Sequence, residues 1–388
     1  MAELPLLEDA WLLLEDDLIA DYGLMDQENL PKADRTIDCT GKFVLPTWCD
    51  SHSHLVYAGN REGEFIDRLN GLSYQEIAAK GGGILNSASL LQQTSQQDLL
   101  LQSKERLKEV MRLGTGALEI KSGYGLSLDS EIKMLRVARE LGETYPIEIK
   151  TSFLGAHAIP PGFDHGDAYI DHVIEDILPA VNQEGLADFI DIFCEDGYFS
   201  VSHLERIIQA GNKYGLPAKV HVNQFNAIGG ISAAVNNNAL TVDHLEVMSP
   251  EDYQALENAN TIAVALPGCS YFLGIPYTPA RELISRNIPL ALATDMNPGS
   301  APSGNMNFVL SAACIKMKMT PEEAINAATI NGAFAMGLES SHGSITRGKK
   351  ASVIITKEIP SYGFLPYSFG SDLIDQVLIA GEEIRTNN

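Results

Sequence analysis

Short apolar runs alternate along this 388-residue chain with stretches of helical periodicity, and this alternation restricts the fold more than any other feature. Each run is rich in β-branched residues, ends in a polar residue and is followed by a helix-like segment. Strands that alternate with helices pair in parallel through crossover connections. The eight runs cover residues 43–50, 116–120, 147–153, 188–193, 218–222, 239–242, 261–266 and 289–293.

Eight strand–helix units over roughly 250–300 residues match the size of a (β/α)8 barrel. The rival fold, a doubly wound open sheet, is expected to carry a glycine-rich phosphate turn after its first strand. His52-Ser53-His54 stands at that position instead. We therefore predict an α/β fold with a (β/α)8 TIM-type barrel over residues 45–343.

The two ends of the chain fall outside this pattern. Residues 11–22 have the composition of two short strands around a turn, and residues 352–356 and 376–384 also have strand composition. Each flank is too small to bury a core of its own. We therefore expect one small β-sandwich-like domain, formed by residues 1–44 and 344–388, beside the barrel.

The charge balance argues against two classes of partner. The chain has 51 acidic and 27 basic side chains, a net charge of −24, and so lacks the basic surface that nucleic acids or anionic membranes require. The acidic first 17 residues do not resemble a signal peptide, and no apolar run approaches the ~20 residues of a membrane span.

The five cysteines form no CxxC pair, which indicates reduced thiols, and we expect a cytoplasmic protein. Cys194 and Cys269 lie in apolar runs, where we interpret them as small buried side chains.

Chemically active residues follow the strands of the predicted barrel, whose C-terminal ends converge on one mouth. In chain order these ends carry His52, His54, Lys121, Tyr124, His157, Glu195, His221, Gln224, His244 and Asp295. Five of the nine histidines in the chain therefore fall at one predicted mouth. The other four, which we interpret as surface residues, are His165, His172, His203 and His342.

The spacing of His52 and His54 favours metal binding. Two residues apart on an extended segment, both rings project to the same side, about 6–7 Å apart. From there two nitrogens can reach one metal ion at ~2.0–2.1 Å. With His221 and Asp295, three neutral imidazoles and a carboxylate suit Zn²⁺ or Fe²⁺. Such a metal lowers the pKa of a bound water from 15.7 towards ~7.

Other residues near the mouth predict a reaction at a carbonyl group. The Asp295 carboxylate can accept the proton of an attacking water, and His244 can polarise the carbonyl or carry that proton. Arg61 can bind a substrate carboxylate through two parallel hydrogen bonds. Tyr124 lies in a glycine-flanked loop from which it can hydrogen-bond a polar ring. The turn at residues 295–300 brings an amide and a hydroxyl that can contact substrate.

Together these residues and their surroundings resemble the amidohydrolase superfamily, and most closely its branch that opens an imidazolone ring in histidine degradation. The supporting stretches are HSHLVYAGNREGEF (52–65), GGGI (81–84), KSGYGL (121–126), FLGAHA (153–158), DHLE (243–246), LPG (266–268) and ATDMNPGS (293–300). The resemblance extends from about residue 11 to the C-terminus. It implies hydrolysis of the cyclic amide of 4-imidazolone-5-propanoate to N-formimidoyl-L-glutamate by a metal-activated water.

The resemblance also implies a set of site residues. The implied metal ligands are His52, His54, His221 and Asp295, and the implied catalytic residues are Asp295, His244 and Gln224. The implied substrate contacts are Arg61, Tyr124, His157, Gln224, Asn297, Gly299 and Ser300. Members of the family are usually cytoplasmic and often dimeric. We expect a homodimer that holds one Zn²⁺, or Fe²⁺ or Fe³⁺, per chain, with zinc preferred.

One departure from the family pattern bears on the chemistry. The run His221-Val222-Asn223-Gln224 replaces a His-Ala-Asp-Glu or His-Ala-Asp-Gln run. Because an amide cannot act as a general base, Gln224 shifts that role towards Asp295.

Three alternatives stay open from the sequence. Another amidohydrolase, a deaminase or cyclic amidase, would share the metal ligands, and Arg61, Tyr124 and the NPGS turn argue for a carboxylate-bearing imidazolone instead. A non-catalytic barrel would be expected to have lost ligands, and none is missing. A two-metal site bridged by Glu195 is conceivable, but we expect one metal, with Glu195 hydrogen-bonded to ordered elements.

Overall fold

The computed structural model describes residues 3–25, 30–72, 76–77 and 80–385. The strands within these ranges, in chain order, are β1 Ala10–Glu15, β2 Leu18–Leu24, β3 Val44–Pro46, β4 Trp48–Asp50, β5 Thr115–Lys121, β6 Glu148–Ala156, β7 Phe189–Cys194, β8 Ala218–Val222, β9 Thr241–His244, β10 Ile262–Ala265, β11 Leu290–Leu292, β12 Val353–Thr356, β13 Ile374–Ile379 and β14 Glu382–Arg385. Every predicted apolar run overlaps a strand, and the first run contains two of them.

Helices separate most of these strands, as the periodicity predicts. The α-helices are Glu62–Leu69, Ile84–Gln93, Gln96–Arg112, Leu128–Thr144, Gly166–His172, Leu178–Gln183, Val201–Asn212, Gly230–Asn236, Pro250–Leu256, Pro267–Leu273, Ala280–Ser285, Met306–Met317, Pro321–Ala328, Ile330–Phe334 and Phe364–Tyr367, with a π-helical turn at Val173–Ile177. No helix in the described ranges is long and apolar enough to cross a membrane.

Local sequence explains where helices begin. Thr320 caps the helix Pro321–Ala328: its hydroxyl accepts a hydrogen bond from the Glu323 N–H, and the Glu323 carboxylate accepts one from the Thr320 N–H at 2.8 Å. Proline follows the cap at the first helical position, where a missing N–H costs no hydrogen bond. The same arrangement of cap and proline begins the helix Pro250–Leu256.

The central sheet is the predicted barrel. Strands β4 to β11 form eight parallel strands in sequential order, from β4 at one edge to β11 at the other. Beyond these two edge strands, the chain segments 50–54 and 294–296 close the circle through backbone hydrogen bonds. Asp295 N–H donates to the His52 carbonyl at 2.9 Å, and His54 N–H donates to the Met296 carbonyl at 2.8 Å. The residues that follow β4 and β11 therefore lie side by side.

Most barrel strands are apolar and buried on both faces, as parallel strands covered by helices usually are. Residues of β10 and β11 are all buried and carry only Ile, Ala, Val and Leu. The exceptions are charged side chains that point inwards below the mouth, each at most 1% exposed: Glu119, Lys121, Asp191, Lys219 and Asp243. Their burial bears directly on the site above them.

The chain ends form two further sheets. Strand β3 pairs antiparallel with β12, and β12, β13 and β14 complete a four-stranded sheet. Strands β1 and β2 form a hairpin that contacts the C-terminal segment where Ile19 N–H donates to the Lys349 carbonyl at 2.8 Å. The division into 1–44 with 344–388 and 45–343 stays a prediction, and residues 1–2, 26–29 and 386–388 of the smaller unit lie outside the described residues.

Candidate metal centre and active site

The strand ends surround a cavity at the mouth of the barrel. Ten of the twelve predicted site residues line it, while His52 lies beneath it and Gly299 lies against Arg61. The lining residues are His54, Arg61, Ile84, Tyr124, His157, Phe193, His221, Gln224, Phe225, His244, Leu273, Asp295, Asn297 and Ser300. The structure thus brings together residues that lie far apart in the sequence.

Four of these side chains converge to the spacing of a metal site. Asp295 Oδ1 lies 3.5 Å from His52 Nε2 and 3.6 Å from His54 Nε2. His221 Nε2 lies 3.4 Å from His54 Nε2. In a tetrahedral site with metal–ligand bonds of about 2.0–2.1 Å, neighbouring ligand atoms are about 3.3–3.4 Å apart. These three pairs of atoms therefore have nearly the spacing of neighbouring ligands in such a site.

The tautomers of two histidines also suit a metal ligand. His52 Nδ1–H donates to Asp243 Oδ2 at 2.7 Å, and His221 Nδ1 lies 2.9 Å from Asp191 Oδ2. A carboxylate behind Nδ1 leaves the Nε2 lone pair free for a metal. His52 Nε2 has no hydrogen-bond partner among the described residues although it is buried.

Burial keeps the three imidazoles neutral, which metal binding requires. Removal from water lowers the pKa of His52, His54 and His221 well below the ordinary value of 6.5, and neighbouring positive charge lowers it further. Neutral imidazoles and a carboxylate are the donor set that Zn²⁺ and Fe²⁺ prefer. The residues present therefore fit a divalent cation.

A network of buried charged side chains, which the sequence did not predict, lies beneath the candidate metal centre. Lys121 Nζ lies 2.8 Å from Asp191 Oδ2 and 3.5 Å from Asp243 Oδ2, so one ammonium contacts both carboxylates that orient the histidines. It also lies 2.7 Å from Glu119 Oε1, while Lys219 lies 3.0 Å from the other oxygen of Glu119. Burial alone would lower the pKa of Lys121, but these carboxylates raise it above its ordinary value.

A signal for this network is present in the sequence. Glu119 precedes Lys121 by two residues, Lys219 precedes His221 by two, and Asp243 follows Thr241 by two. Alternate residues of a strand share a face, so a charge two positions before a strand-end residue points into the same barrel interior. The pattern predicts inward charge, but it does not say which partners the charges find.

His244 carries its own carboxylate. Its Nδ1 lies 3.3 Å from Glu246 Oε1, and both side chains are buried. Burial alone would lower the pKa of His244, but the charge and hydrogen bond of Glu246 outweigh it and raise the pKa above 6.5. His244 is therefore protonated more easily than His52, His54 and His221, and it is the histidine suited to donate a proton.

Asp295 lies in a turn that its own neighbours hold. The Asn297 side-chain amide donates to the Asp295 carbonyl at 2.7 Å, and its oxygen accepts from the backbone N–H of Gly299 and of Ser300, each at 2.8 Å. Burial raises the pKa of Asp295 to about 6, with His244 acting in the opposite direction. The Asn297 amide thus supports the turn that places the carboxylate.

Arg61 lines the cavity and is only 7% exposed. Its Nε donates to Glu64 Oε2 at 3.0 Å, and Glu64 Oε1 accepts from the Gly83 N–H at 3.1 Å. The guanidinium packs on Gly299, where any Cβ would lie 1.9 Å from Nη2. Only glycine leaves room for the arginine at that position.

Tyr124 and His157 occupy the wall next to His54. The His157 ring stacks on His54 with centroids 5.3 Å apart and an interplanar angle of 10°, and its Nδ1–H donates to the Gly123 carbonyl at 3.0 Å. The Tyr124 ring lies 5.6 Å from the His54 ring. Burial lowers the pKa of His157 to about 4, so its Nε2 is an acceptor at neutral pH.

Gln224 and Glu195 have defined partners. Gln224 Nε2 donates to Cys269 Sγ at 3.3 Å, which brings that buried thiol to the rim of the site. Glu195 Oε2 accepts from the Phe225 N–H at 2.9 Å, and its Oε1 accepts from Asn226 Nδ2 at 3.0 Å. Glu195 therefore holds the loop after β8, in line with the expectation that it bonds to ordered elements.

One interpretation of the sequence is wrong. His342, taken as a surface residue, is 6% exposed, because the segment after the helix Ile330–Phe334 folds back under the residues that lead into β12. Its Nδ1 lies 2.9 Å from Ser341 Oγ, and its carbonyl accepts from Lys349 Nζ at 3.0 Å. Nothing in the local sequence marks this burial.

Comparisons with known proteins show what this chain is similar to. A sequence profile described as "Amidohydrolase family" matches residues 43–384. The imidazolonepropionase of Flavobacterium johnsoniae is 64% identical and that of Christiangramia forsetii 62% identical, each over 387 residues covering 99% of this chain and 94% of the relative. Among solved structures, an adenosine deaminase from Xanthomonas campestris with bound zinc superposes with a TM-score of 0.74 at 16% identity, covering 97% of this chain and 88% of that one. That structural likeness shows the fold alone.

Proposed function

The chain belongs to the amidohydrolase family, and from that premise we propose that it is a metal-dependent hydrolase that opens the ring of 4-imidazolone-5-propanoate to give N-formimidoyl-L-glutamate. Relatives 60–64% identical over nearly the whole chain are named imidazolonepropionase. The observation that carries the proposal is the cavity itself. Four ligand atoms, linked by three distances of 3.4–3.6 Å, lie at or beneath it, together with the buried guanidinium of Arg61.

The proposed metal ligands are His52, His54, His221 and Asp295, and we propose zinc rather than iron as the ion. Zinc takes three imidazoles and a carboxylate without a strong geometric preference of its own. When bound, a divalent cation supplies a water with a pKa lowered towards ~7, which makes a nucleophile available at neutral pH. The Asp243 carboxylate holds the His52 ring in the tautomer that binds, and the Asp191 carboxylate lies 2.9 Å from Nδ1 of His221.

His244 supplies the proton-donating group of the proposed site. Glu246 stabilises the charged form of this ring, which faces the cavity and can therefore donate a proton there. From there it donates a hydrogen bond to the substrate carbonyl oxygen, where negative charge develops as water attacks. Because Glu246 contacts Nδ1, the Nε2–H is the donor directed at the substrate.

Asp295 is the proposed base. Its carboxylate accepts a proton from the attacking water and then delivers it to the ring nitrogen that leaves. Gln224 cannot share this role, and its side chain contributes hydrogen bonds to the substrate instead.

Arg61 and Tyr124 give the site its proposed specificity. The guanidinium binds the propionate carboxylate, and the phenol hydroxyl hydrogen-bonds the polar ring. His157 and Ser300 line the same cavity and complete the proposed contacts, together with Asn297 and Gly299, whose turn positions Ser300. A deaminase of a ring without a carboxylate tail would have no use for the buried arginine.

We further propose that the chain acts in the cytoplasm as a homodimer. The net charge of −24 argues against binding to nucleic acid or to an anionic membrane, so the proposed partner is a small molecule. Size-exclusion chromatography with light scattering would give the mass of the assembly, and a monomer would contradict the proposed homodimer.

Incubation of purified protein with 4-imidazolone-5-propanoate tests the function. We expect the ring absorbance to disappear, N-formimidoyl-L-glutamate to form, and metal analysis to find close to one tightly bound zinc or iron per chain. Removal of the ion by a chelator should abolish turnover, and zinc should restore it. Full activity in metal-free protein, or no turnover of this substrate by metal-loaded protein, would contradict the proposal.

A further inference from the structure

A second group of possible metal ligands adjoins the first. One ligand atom each from His244, Cys269 and Asp295 lies within 4.8 Å of the others, and all three side chains are buried. Asp295 belongs to both groups, and its Oδ1 is the oxygen near His52 and His54. The proposed reaction uses His244 and Asp295 separately and leaves the thiol without a role.

The positions of His244, Cys269 and Asp295 allow a cation to bind between them. A carboxylate has two oxygens, and two metal ions about 3.5–4 Å apart can share one carboxylate as a bridge. Glu246 lies behind Nδ1 of His244, which leaves Nε2 for a ligand. Because His244 and Asp295 line the cavity, water can supply a fourth ligand of a tetrahedral site.

The surrounding charge and polarity favour a cation at this position. Cys269 belongs to a buried apolar cluster, but its Sγ accepts a hydrogen bond from the Gln224 amide, which lines the cavity. Glu246 Oε2 is buried without a hydrogen-bond partner among the described residues. The negative charge of Glu246 is thus only partly compensated by His244 and by Ser270 Oγ, which donates to Oε1 at 3.2 Å.

We infer that His244, Cys269 and Asp295 bind a second, soft divalent cation, of which zinc in excess is the natural example and Cd²⁺ a suitable probe. Thiolate is a soft ligand that selects such ions over Mg²⁺ or Ca²⁺. The Cys269 thiol and the Nε2–H of His244 each release a proton to solvent as the metal–sulfur and metal–nitrogen bonds form. With one imidazole instead of three, this site binds more weakly than the first.

Occupation of the second site inhibits the enzyme, a consequence that rests on the proposed function. The second cation takes the Nε2 of His244, which would otherwise donate to the substrate carbonyl. It also binds a carboxylate oxygen of Asp295, which reduces the basicity of the carboxylate. Excess zinc therefore lowers kcat, whereas the single tightly bound ion supports turnover.

Titration of the zinc-loaded enzyme with Cd²⁺ tests the site directly. We expect a thiolate-to-cadmium charge-transfer absorbance in the ultraviolet and, by equilibrium dialysis, two cations per chain. The first site contains no sulfur, so exchange of its zinc for cadmium gives no such band. Cys269→Ser should lose the band and the second cation while it retains the first.

A matched control separates this site from adventitious thiol binding. Cys314, which is partly exposed on the helix Met306–Met317, is a thiol that free cadmium reaches from solvent. Cys314→Ser should keep both the band and the second cation. In kinetic assays, inhibition by excess zinc should disappear in Cys269→Ser, measured against its own uninhibited rate, and persist in Cys314→Ser.

The outcomes that overturn this inference differ from those that overturn the function. A single cation per chain in cadmium excess, or an equal band in Cys269→Ser, means that no second site exists. Inhibition by zinc that is equal in both variants means that the ion acts elsewhere. If the band appears as expected but the imidazolone is not hydrolysed, the second site stands and the proposed function falls.

Discussion

His244 and Asp295 share an uncommon backbone conformation. Their φ angles are +88° and +54°, in the left-handed region that side chains other than glycine seldom adopt. Such a residue typically costs about 1–3 kcal/mol and occurs most often at functional sites. In both residues the turn directs the side chain from a strand end into the cavity, so the strain accompanies the orientation that the chemistry requires.

Substitution of Asp295 by asparagine should abolish most turnover. The amide keeps the size of the side chain but cannot accept a proton, and a positioned general base typically contributes ~10²–10⁴-fold to the rate. We expect kcat to fall by about that factor while circular dichroism stays unchanged.

Asp196→Asn is the matched control, because Asp196 is an exposed aspartate just after another barrel strand, β7. It should retain wild-type kcat. Substantial residual kcat in Asp295→Asn would mean that another group acts as the base.

Arg61→Ala should weaken binding of the natural substrate selectively. Hydrogen bonds to charged groups are typically worth about 1.5–3 kcal/mol, so the KM for the propionate substrate should rise roughly 10- to 100-fold. A tail-less imidazolone does not contact the guanidinium, and its KM should change little. Equal effects on the two substrates would show that Arg61 does not bind the carboxylate.

At the scale of elements, one helix residue holds the loop that carries Tyr124. The buried carboxylate of Glu131, in the helix Leu128–Thr144, accepts from the backbone N–H groups of Gly123 at 3.0 Å and of Gly125 and Leu126 at 2.8 Å each. The helix comes so close that a Cβ on Gly125 would lie 2.5 Å from the Glu131 nitrogen. The glycines around Tyr124 therefore permit close packing between loop and helix.

Glu131→Gln should loosen this loop. One carboxylate oxygen becomes an NH₂ group that faces backbone donors, which leaves at least one buried N–H unpaired at a cost of roughly 1–3 kcal/mol. We expect a lower Tm and a higher KM, with metal content unchanged. Glu143→Gln, exposed on the same helix, should alter none of these quantities. An unchanged Tm and KM in Glu131→Gln would refute the role of this carboxylate.

At the scale of the whole molecule, the barrel is closed by segments about 240 residues apart in sequence. Thr294 contributes to the closure, because its N–H and hydroxyl both donate to the Asp50 carboxylate, at 3.0 Å and 2.6 Å. His52 and Asp295 follow directly from these contacts. The metal site therefore depends on closure of the barrel and is expected to be lost on unfolding.

The pH dependence of stability should include a contribution from His342. Burial lowers its pKa to about 4, with Lys350 and Lys349 adding to the effect, whereas an unfolded histidine titrates near 6.5. Between these values the unfolded chain binds a proton that the folded chain does not. Protonation of His342 therefore costs the fold nothing well above pH 6.5, and the folded state loses stability as the pH falls from 6.5 towards 4, by about 2 kcal/mol at pH 5.

Thermal unfolding of His342→Gln checks this expectation. The decrease in Tm between pH 7 and pH 5 should be smaller in the variant than in the wild type, because one titrating group is missing. His165→Gln, an exposed histidine, should follow the wild type. Identical pH profiles for His342→Gln and wild type would show that this residue is not buried in solution.

The sequence by itself determined the barrel and the composition of the metal centre. Hydrophobic periodicity is a local property of the chain, so it is enough to locate the strands. The C-terminal ends of parallel strands must meet, which brings together His52, His54, His221 and Asp295 whatever the details of packing. The family motifs added Arg61 and Tyr124.

Only the tertiary structure decided which groups contact one another. The pairing of His52 with Asp243, the burial of His342 and the approach of Cys269 to Asp295 depend on how separate strands are rotated and on the paths of loops between them. These contacts join residues distant in sequence, and no local pattern encodes their distances. The sequence thus determined which side chains face the mouth, and packing determined the proton, charge and ligand environment of each.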